Sequence, residues 1–227
     1  MSRPYNKKRE TVNSHDDDDA ALFERRGGGT SGVPVRGGNV DMTDVNAAVA
    51  VLKRGGVILY PTDTVWGIGC DATNDEAVRR VYAIKQRDDS KAMLTLVSDL
   101  AMLERTVDGI PDVAYDLIEF SERPTTIVYD KGIGVSPLLL GPDGTLGVRV
   151  AGESFCNALV RRFGRPIVST SANISGQPAA RSYDEIAPEV ADAVDYICTS
   201  RRDDPCLTPP SSVIRLTASG QFTILRK

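Results

Sequence analysis

A single α/β domain over residues 42–227 is the fold class this sequence predicts. Three observations carry it: short apolar runs of strand length, amphipathic stretches of helical period between them, and no internal repeat. The first helix sets Val45, Ala48, Val49 and Leu52 at i, i+3, i+4 and i+7, with Thr43 as its cap and Gly55 as its stop. Residues 57–60 read as a short buried strand ended by Pro61, and a second strand includes residues 65–70. Asn74-Asp75 caps a helix whose apolar stripe is Val78, Val81 and Tyr82, and this helix delivers Lys85 near its C-terminal end. A strand at 93–97, helical stretches near 99–106 and 112–120, and strands at 126–129 and 146–150 follow. Phe155, Leu159 and Val160 mark a further helix, and a strand at 166–170 runs into Ser171. The chain closes with a hairpin of 212–216 and 222–226 across Ala218-Ser219-Gly220.

Composition narrows the chemistry. The chain has 227 residues, 41% of them hydrophobic, which is enough to bury a sizeable core. Residues 1 to about 40 are expected to form a disordered tail, because Lys7-Lys8-Arg9, the run Asp16–Asp19 and two glycine clusters leave little to bury. That tail carries seven Lys and Arg against six Asp and Glu, leaving 20 against 25 for the remainder, so the domain itself is acidic. An anionic ligand must therefore be held by a local cluster and not by a general basic field. No apolar run approaches the ~18 residues of a membrane span, and a cytoplasmic protein is expected. Cys70, Cys156, Cys198 and Cys206 form no CxxC pair and read as reduced thiols.

The one histidine, His15, sits in the expected tail. A Ser-His-Asp triad, a Cys-His pair or a multi-histidine metal centre has nothing to be built around. What remains is chemistry by positioning and charge stabilisation.

A P-loop is absent, since no GxxxxGK[ST] occurs. Gly67-Ile68-Gly69-Cys70-Asp71-Ala72 matches GxGxxA, but the helix signals begin only at Asn74, too late for a glycine turn to open the helix. Close backbone approach in a twisted sheet is the better account of these glycines. Three other elements are more informative. Lys85, Arg87 and Lys91 leave a helix and enter a loop, where a turning chain can fan them around one point, as phosphate oxygens require; a solvated helix end is the plain alternative. Ser169-Thr170-Ser171-Ala172-Asn173-Ile174-Ser175-Gly176 follows a buried strand, where α/β sheets present ligand sites, although a capped turn would use the same residues. Tyr60-Pro61-Thr62-Asp63-Thr64-Val65-Trp66-Gly67 makes a polar turn in which Thr62 and Thr64 can bond a polar ligand and Asp63 can cap.

In this order the three elements resemble the threonylcarbamoyl-AMP synthase family and its YrdC-like domain. The matching pieces are residues 60–71, Lys85-x-Arg87-x-x-x-Lys91, Gly147-Val148-Arg149, Ser169 to Pro178, and Pro210-Ser211-Ser212-Val213, spanning nearly all of 42–227. The chain looks like a short form, without the extra C-terminal domain of longer members. The resemblance implies a twisted mixed β-sheet with flanking helices around a large concave cavity. It implies conversion of ATP, L-threonine and bicarbonate (or CO2) into threonylcarbamoyl-AMP and pyrophosphate, a nucleotidyl transfer. The product would pass to a separate tRNA threonylcarbamoyl transferase complex acting on the adenosine next to the anticodon.

The resemblance also implies residue roles. Lys85, Arg87, Ser171 and Asn173 match the family's catalytic tetrad and would hold bicarbonate and triphosphate. Lys91, Thr145 and Arg226 would assist on the nucleotide side. Arg149 would pair with the threonine carboxylate, while Thr64, Ser169 and Ser212 surround its other polar groups. Mg2+ would ride on ATP, with no dedicated protein metal site. Departures from the family pattern occur at Glu122-Arg123-Pro124, at Leu96 (a histidine in some members) and at Ala179 (a nucleotide-side serine). Two rival expectations are a related carbamoyl-adenylating enzyme with another substrate and a non-catalytic RNA-binding module, to which Lys7-Lys8-Arg9 could add a weak RNA contact.

Overall fold

Nine strands line up in one mixed sheet in the computed structural model, which describes residues 39–88, 92–204 and 208–227. The expected tail, up to residue 38, lies outside the described residues. The strands are β1 (Ile58–Tyr60), β2 (Gly67–Gly69), β3 (Leu94–Val97), β4 (Thr125–Tyr129), β5 (Leu146–Val150), β6 (Ile167–Ser171), β7 (Tyr196–Ile197), β8 (Ser212–Leu216) and β9 (Phe222–Arg226). Their order across the sheet is β7-β1-β2-β6-β3-β5-β4-β8-β9. Pairings β1/β7, β3/β5 and β4/β8 are parallel and the rest antiparallel. The helices are α1 (Met42–Lys53), α2 (Asp75–Ile84), α3 (Leu100–Glu104), α4 (Asp112–Phe120), α5 (Ser154–Phe163) and α6 (Pro188–Ala191). None of the described helices is long and apolar enough to cross a membrane.

The predicted periodicities fall where burial requires them. Val45, Ala48, Val49 and Leu52 form the buried side of α1, which packs against α5 through that helix's Phe155, Leu159 and Val160. Asn74 caps α2, its Oδ1 accepting from the amides of Glu76 and Ala77. The cap of α1 is Asp41 and not Thr43: the Asp41 carboxylate accepts from the amides of Thr43 and Asp44, which places Thr43 inside the first turn. The second strand is shorter than 65–70 because Thr62 folds the preceding residues into a turn. Its Oγ1 accepts from the amides of Thr64 and Val65 and donates to the Val65 carbonyl at 2.5 Å.

Strand β7 carries too little pattern to be read from sequence. It is fixed by Asp44, a buried carboxylate that accepts from the Tyr196 hydroxyl and from the amides of Thr199 and Ser200. Cys70, Cys156 and Cys198 are buried free thiols, while Cys206 lies outside the described residues.

Gly67 and Gly69 are strand residues and not a phosphate turn, which removes the dinucleotide reading. The Tyr60 ring lies across both. A Cβ on Gly69 would sit 2.8 Å from that ring and 3.0 Å from the Val168 carbonyl, closer than a methyl group fits. Gly69→Ala is therefore expected to destabilise the fold by about 1–3 kcal/mol, measured by urea unfolding. An unchanged midpoint would show that the ring yields freely.

Candidate active site

Strand periodicity builds a hollow on one face of the sheet. Alternate residues point into it: Thr126 and Val128 from β4, Thr145, Gly147 and Arg149 from the start and body of β5, Ser169 and Ser171 from β6. The turn before β2 adds Thr62 and Thr64, the chain after α2 adds Arg87, and the terminal hairpin adds Ser211, Val213 and Arg226. The cavity measures about 440 Å3, and among the described residues no Asp or Glu lines it. A larger hollow of about 840 Å3 lies elsewhere, with Asp41, Asp63, Glu119, Glu122, Glu153 and Asp204 in its wall. Its charge is the wrong sign for a triphosphate, so the smaller cavity is the candidate site.

The helix end that brings the cations in has a definite geometry. Gln86 has φ +47°, a left-handed backbone that is rare for a residue with a Cβ. Its amide bonds to the Ala83 carbonyl, and the Arg87 amide reaches back to the Tyr82 carbonyl. This pair of bonds closes α2 in a Schellman turn with glutamine where glycine is usual. Lys85 is thereby turned inward and Arg87 toward the cavity. The guanidinium of Arg87 donates to the Ala92 carbonyl at 3.0 Å.

Lys85 reaches the serine-rich turn but lies behind the lining. Its side chain is buried, with Nζ donating to the Ser171 carbonyl at 2.5 Å and the Asn173 carbonyl at 2.8 Å. The Ser175 amide bonds back to the Lys85 carbonyl at 2.8 Å. The cationic segment and the hydroxyl turn are thus stitched together. Burial, and then the nearby Arg87 charge, push the Lys85 ammonium down to about 8. Asn173 also lies behind the lining. Its amide nitrogen donates to the carbonyls of Ile174 and Gln177, while its buried Oδ1 has no hydrogen-bond partner.

On the other side of Ser171, the Tyr60 hydroxyl donates to Ser169 Oγ at 2.8 Å. Burial pushes that phenol well above its ordinary value, so it remains a donor, and Ser169 keeps its own proton to give. Arg149 is buried and ion-paired with Asp63, Nη2 to Oδ1 at 2.8 Å. The approach lacks hydrogen-bond alignment: Asp63 Oδ1 and Arg149 Nε are both buried without a hydrogen-bond partner. Leu96 stands directly beside Arg149 in the β3/β5 register and is fully buried, outside the lining of the cavity.

Ser212 does not join this cavity. Its amide donates to the Pro124 carbonyl, and strand alternation gives the cavity face to Ser211 and Val213 instead. Counting back by two from Val213 would have found Ser211 in the sequence. Ser211 Oγ lies 2.9 Å from Thr126 Oγ1, and Arg226 donates to the Ser211 carbonyl through Nε at 3.0 Å and Nη2 at 2.9 Å. A register shift between β8 and β9, with Val213 opposite Arg226 but Ile214 opposite Ile224, aims Arg226 inward. Thr126 and Ser211 are lining hydroxyls that the motifs alone did not assign, while Thr62, read from the sequence as a hydroxyl for a polar ligand, lines the cavity as well. Thr64, Arg87, Thr145, Arg149, Ser169, Ser171 and Arg226 all line the one cavity, whereas Lys91 lies outside the described residues. Ala179 lines it too, contributing only a methyl group.

Comparison with known proteins agrees with this arrangement. The Sua5/YciO/YrdC family model, described as "Telomere recombination", matches residues 50–227. The threonylcarbamoyl-AMP synthase of Stenotrophomonas maltophilia is 37% identical over 156 residues, covering 67% of this chain and 84% of that one. The protein of the same name from Chromohalobacter salexigens is 39% identical over 152 residues, covering 66% and 82%. Among solved structures, P. abyssi Sua5 complexed with L-threonine superposes with a TM-score of 0.76 at 26% identity. That match covers 86% of this chain but only 56% of the Sua5 chain. E. coli YciO matches with a TM-score of 0.72 at 27% identity, covering 86% of this chain and 92% of that one. A family model spanning the sheet and the whole cavity, with relatives matched over more than four fifths of their length, means that the chain belongs to the Sua5/YciO/YrdC family.

Proposed function

We propose that this chain is an L-threonylcarbamoyladenylate synthase, joining ATP, L-threonine and bicarbonate into threonylcarbamoyl-AMP and pyrophosphate. The observation that carries the reading is one cavity in which Arg87, Arg149 and Arg226 converge among hydroxyls, with no carboxylate in the lining among the described residues. Two anions must meet there, and fixed cations and hydroxyl donors quench their repulsion. The relatives named threonylcarbamoyl-AMP synthase and the threonine complex of P. abyssi Sua5 support the same reading.

The chemistry balances without a histidine. Bicarbonate takes up a proton and loses water to give CO2. The neutral threonine amine adds to the CO2 carbon, and the N–H proton it gives up replaces the one bicarbonate consumed, leaving a carbamate and water. A carbamate oxygen then attacks the α-phosphorus of ATP, and the bond to the β-phosphate oxygen breaks to release pyrophosphate. Arg149 pairs with the amino-acid carboxylate, with Thr64, Ser169 and Ser211 around its other polar groups. Arg87, Ser171, Thr145 and Arg226 hold the nucleotide and take up the charge of the leaving group. Lys85 acts on this set by holding the Ser171 and Asn173 carbonyls, and Asn173 by closing the turn that follows through the Ile174 and Gln177 carbonyls, neither by touching substrate. Among the described residues the lining offers Mg2+ no Asp or Glu, so the ion would arrive on the triphosphate oxygens. It would neutralise phosphate charge there. The product is passed, in the cytoplasm, to a separate transferase complex that modifies tRNA.

The test is incubation of the full chain with Mg-ATP, bicarbonate and L-threonine, with the adenylate detected by mass and pyrophosphate by a coupled assay. Threonine-dependent formation of both is expected. A folded protein that makes no adenylate from threonine overturns the reading, and adenylate from another amino acid reassigns the substrate.

A further inference from the structure

We propose that Asp63 is a positioning residue for Arg149 and thereby sets the affinity of the site for the carboxylate of its amino-acid substrate. The inference rests on the functional reading above and adds a residue to it.

The alternation of the turn separates the roles. Thr62 and Thr64 face the 440 Å3 cavity, whereas Asp63 between them faces the other way, into the wall of the larger hollow. From there it meets Arg149, which reaches through from the cavity side. Their side chains are 11% and 4% exposed, so this is a buried pair of opposite charges. Among the described residues no other carboxylate is ion-paired with Arg149. A buried guanidinium left without a counter-charge would be strongly disfavoured where it stands.

The contact holds the guanidinium without saturating it. A guanidinium carries five N–H donors in a planar fork. Asp63 meets a single terminal nitrogen, Nη2, and Arg149 Nε keeps no hydrogen-bond partner although it is buried. Donors for a bidentate guest therefore remain, and the guest's entry side is opposite to Asp63.

Asp63 itself cannot follow a guest. Cys156 Sγ donates to the Pro61 carbonyl at 3.3 Å, Arg201 Nη1 donates to the Thr62 carbonyl at 3.2 Å, and Thr62 Oγ1 closes the turn from within. Arg201 makes its contact from a left-handed backbone, φ +57°, and is also ion-paired with Glu153. The turn is thus clamped from behind at two successive carbonyls. Losing the Asp63 charge would raise the positive field at the site, but it would also remove the one charged anchor of the fork. Because a planar bidentate contact depends on alignment, loss of the anchor dominates.

The test compares Asp63→Asn and Asp63→Glu with the parent by steady-state pyrophosphate release. For Asp63→Asn the KM for L-threonine is expected to rise at least tenfold, with kcat within threefold and the KM for ATP within twofold. Asp63→Glu keeps the charge but shifts the carboxylate by one methylene, so it should recover only part of the threonine affinity. A threonine KM within twofold of the parent or lower in Asp63→Asn, or full recovery in Asp63→Glu, overturns positioning. So does a parallel rise in the KM for ATP, which would mark a general structural role. Should Asp63→Asn fold poorly, the thermal shift of Asp63→Glu by L-threonine against that by ATP reads the same split. Absence of threonine-dependent turnover in the parent would instead sink the functional reading itself.

Discussion

Replacing Arg149 with alanine is expected to lower kcat/KM for L-threonine by more than a hundredfold and to weaken the fold at the same time. Both effects come from one geometry. The guanidinium is buried against Asp63 at 2.8 Å, and removing one partner of such a pair strands the other charge. That class of change costs about 3–5 kcal/mol, and each 1.4 kcal/mol of lost transition-state binding is about tenfold in rate. The two contributions separate in the double variant Arg149→Ala/Asp63→Asn. There the stranded carboxylate is gone, so the urea midpoint should move back toward the parent while threonine turnover stays lost. A loss of less than threefold in kcat/KM for Arg149→Ala would remove Arg149 from the substrate site.

Lys85→Met gives the second large effect, for a different reason. Methionine keeps the apolar stem and deletes Nζ, leaving the Ser171 and Asn173 carbonyls without the donor they share. The Ser171 carbonyl keeps the Asn173 amide, but the Asn173 carbonyl is stranded at a cost of about 1–3 kcal/mol, and the backbone that presents Ser171 loses its side-chain tie to the end of α2. A fall in kcat of about a hundredfold or more is expected, with the threonine KM moved much less.

The pH dependence of stability offers a check free of turnover. The Lys85 ammonium is held at about 8 against an ordinary 10.5, chiefly by burial. Between those values the unfolded chain binds more protons than the folded one, so the contribution of Lys85 to stability grows as pH rises from 8 to 10.5. Below pH 8 both states carry the proton and the contribution is lost. The neutral amine still has two N–H donors for its two carbonyls. The stability gap between parent and Lys85→Met should therefore widen above pH 8, by roughly 3 kcal/mol across the window. Parallel profiles would show that Lys85 is not the buried cation described here.

Much of this arrangement was legible in the sequence, and what was missed has physical causes. Helical period found α1, α2 and α5 because their buried sides are formed by local spacing, and of the expected caps Asn74 of α2 is the one the structure keeps. The grouping of Lys85 with the serine-rich turn was implied by the family resemblance and not by the cation spacing alone, and the Schellman turn at Gln86 is what turns Lys85 toward it. Strand β7 escaped because a two-residue strand has no period, and its stability comes from the remote Asp44. Motif matching names residue types, whereas register with β4 decides the face of a strand, and it is Ser211 and not Ser212 that lines the cavity. The Asp63–Arg149 pair joins residues 86 apart in sequence on two different elements, and no local pattern signals it.

One end of the sheet has a consequence for how occupancy can be observed. β9 pairs with a neighbour on one side only, every residue in it is exposed, and Phe222, Ile224 and Leu225 face solvent. Yet this strand carries Arg226, clamped on Ser211 at the rim of the site. Edge strands open first in local fluctuations, so the amides of 222–226 should exchange with deuterium well before those of β3 or β6. A nucleotide gripped by Arg226 would slow that exchange selectively, turning the frayed margin of the sheet into a reporter of whether the centre is filled.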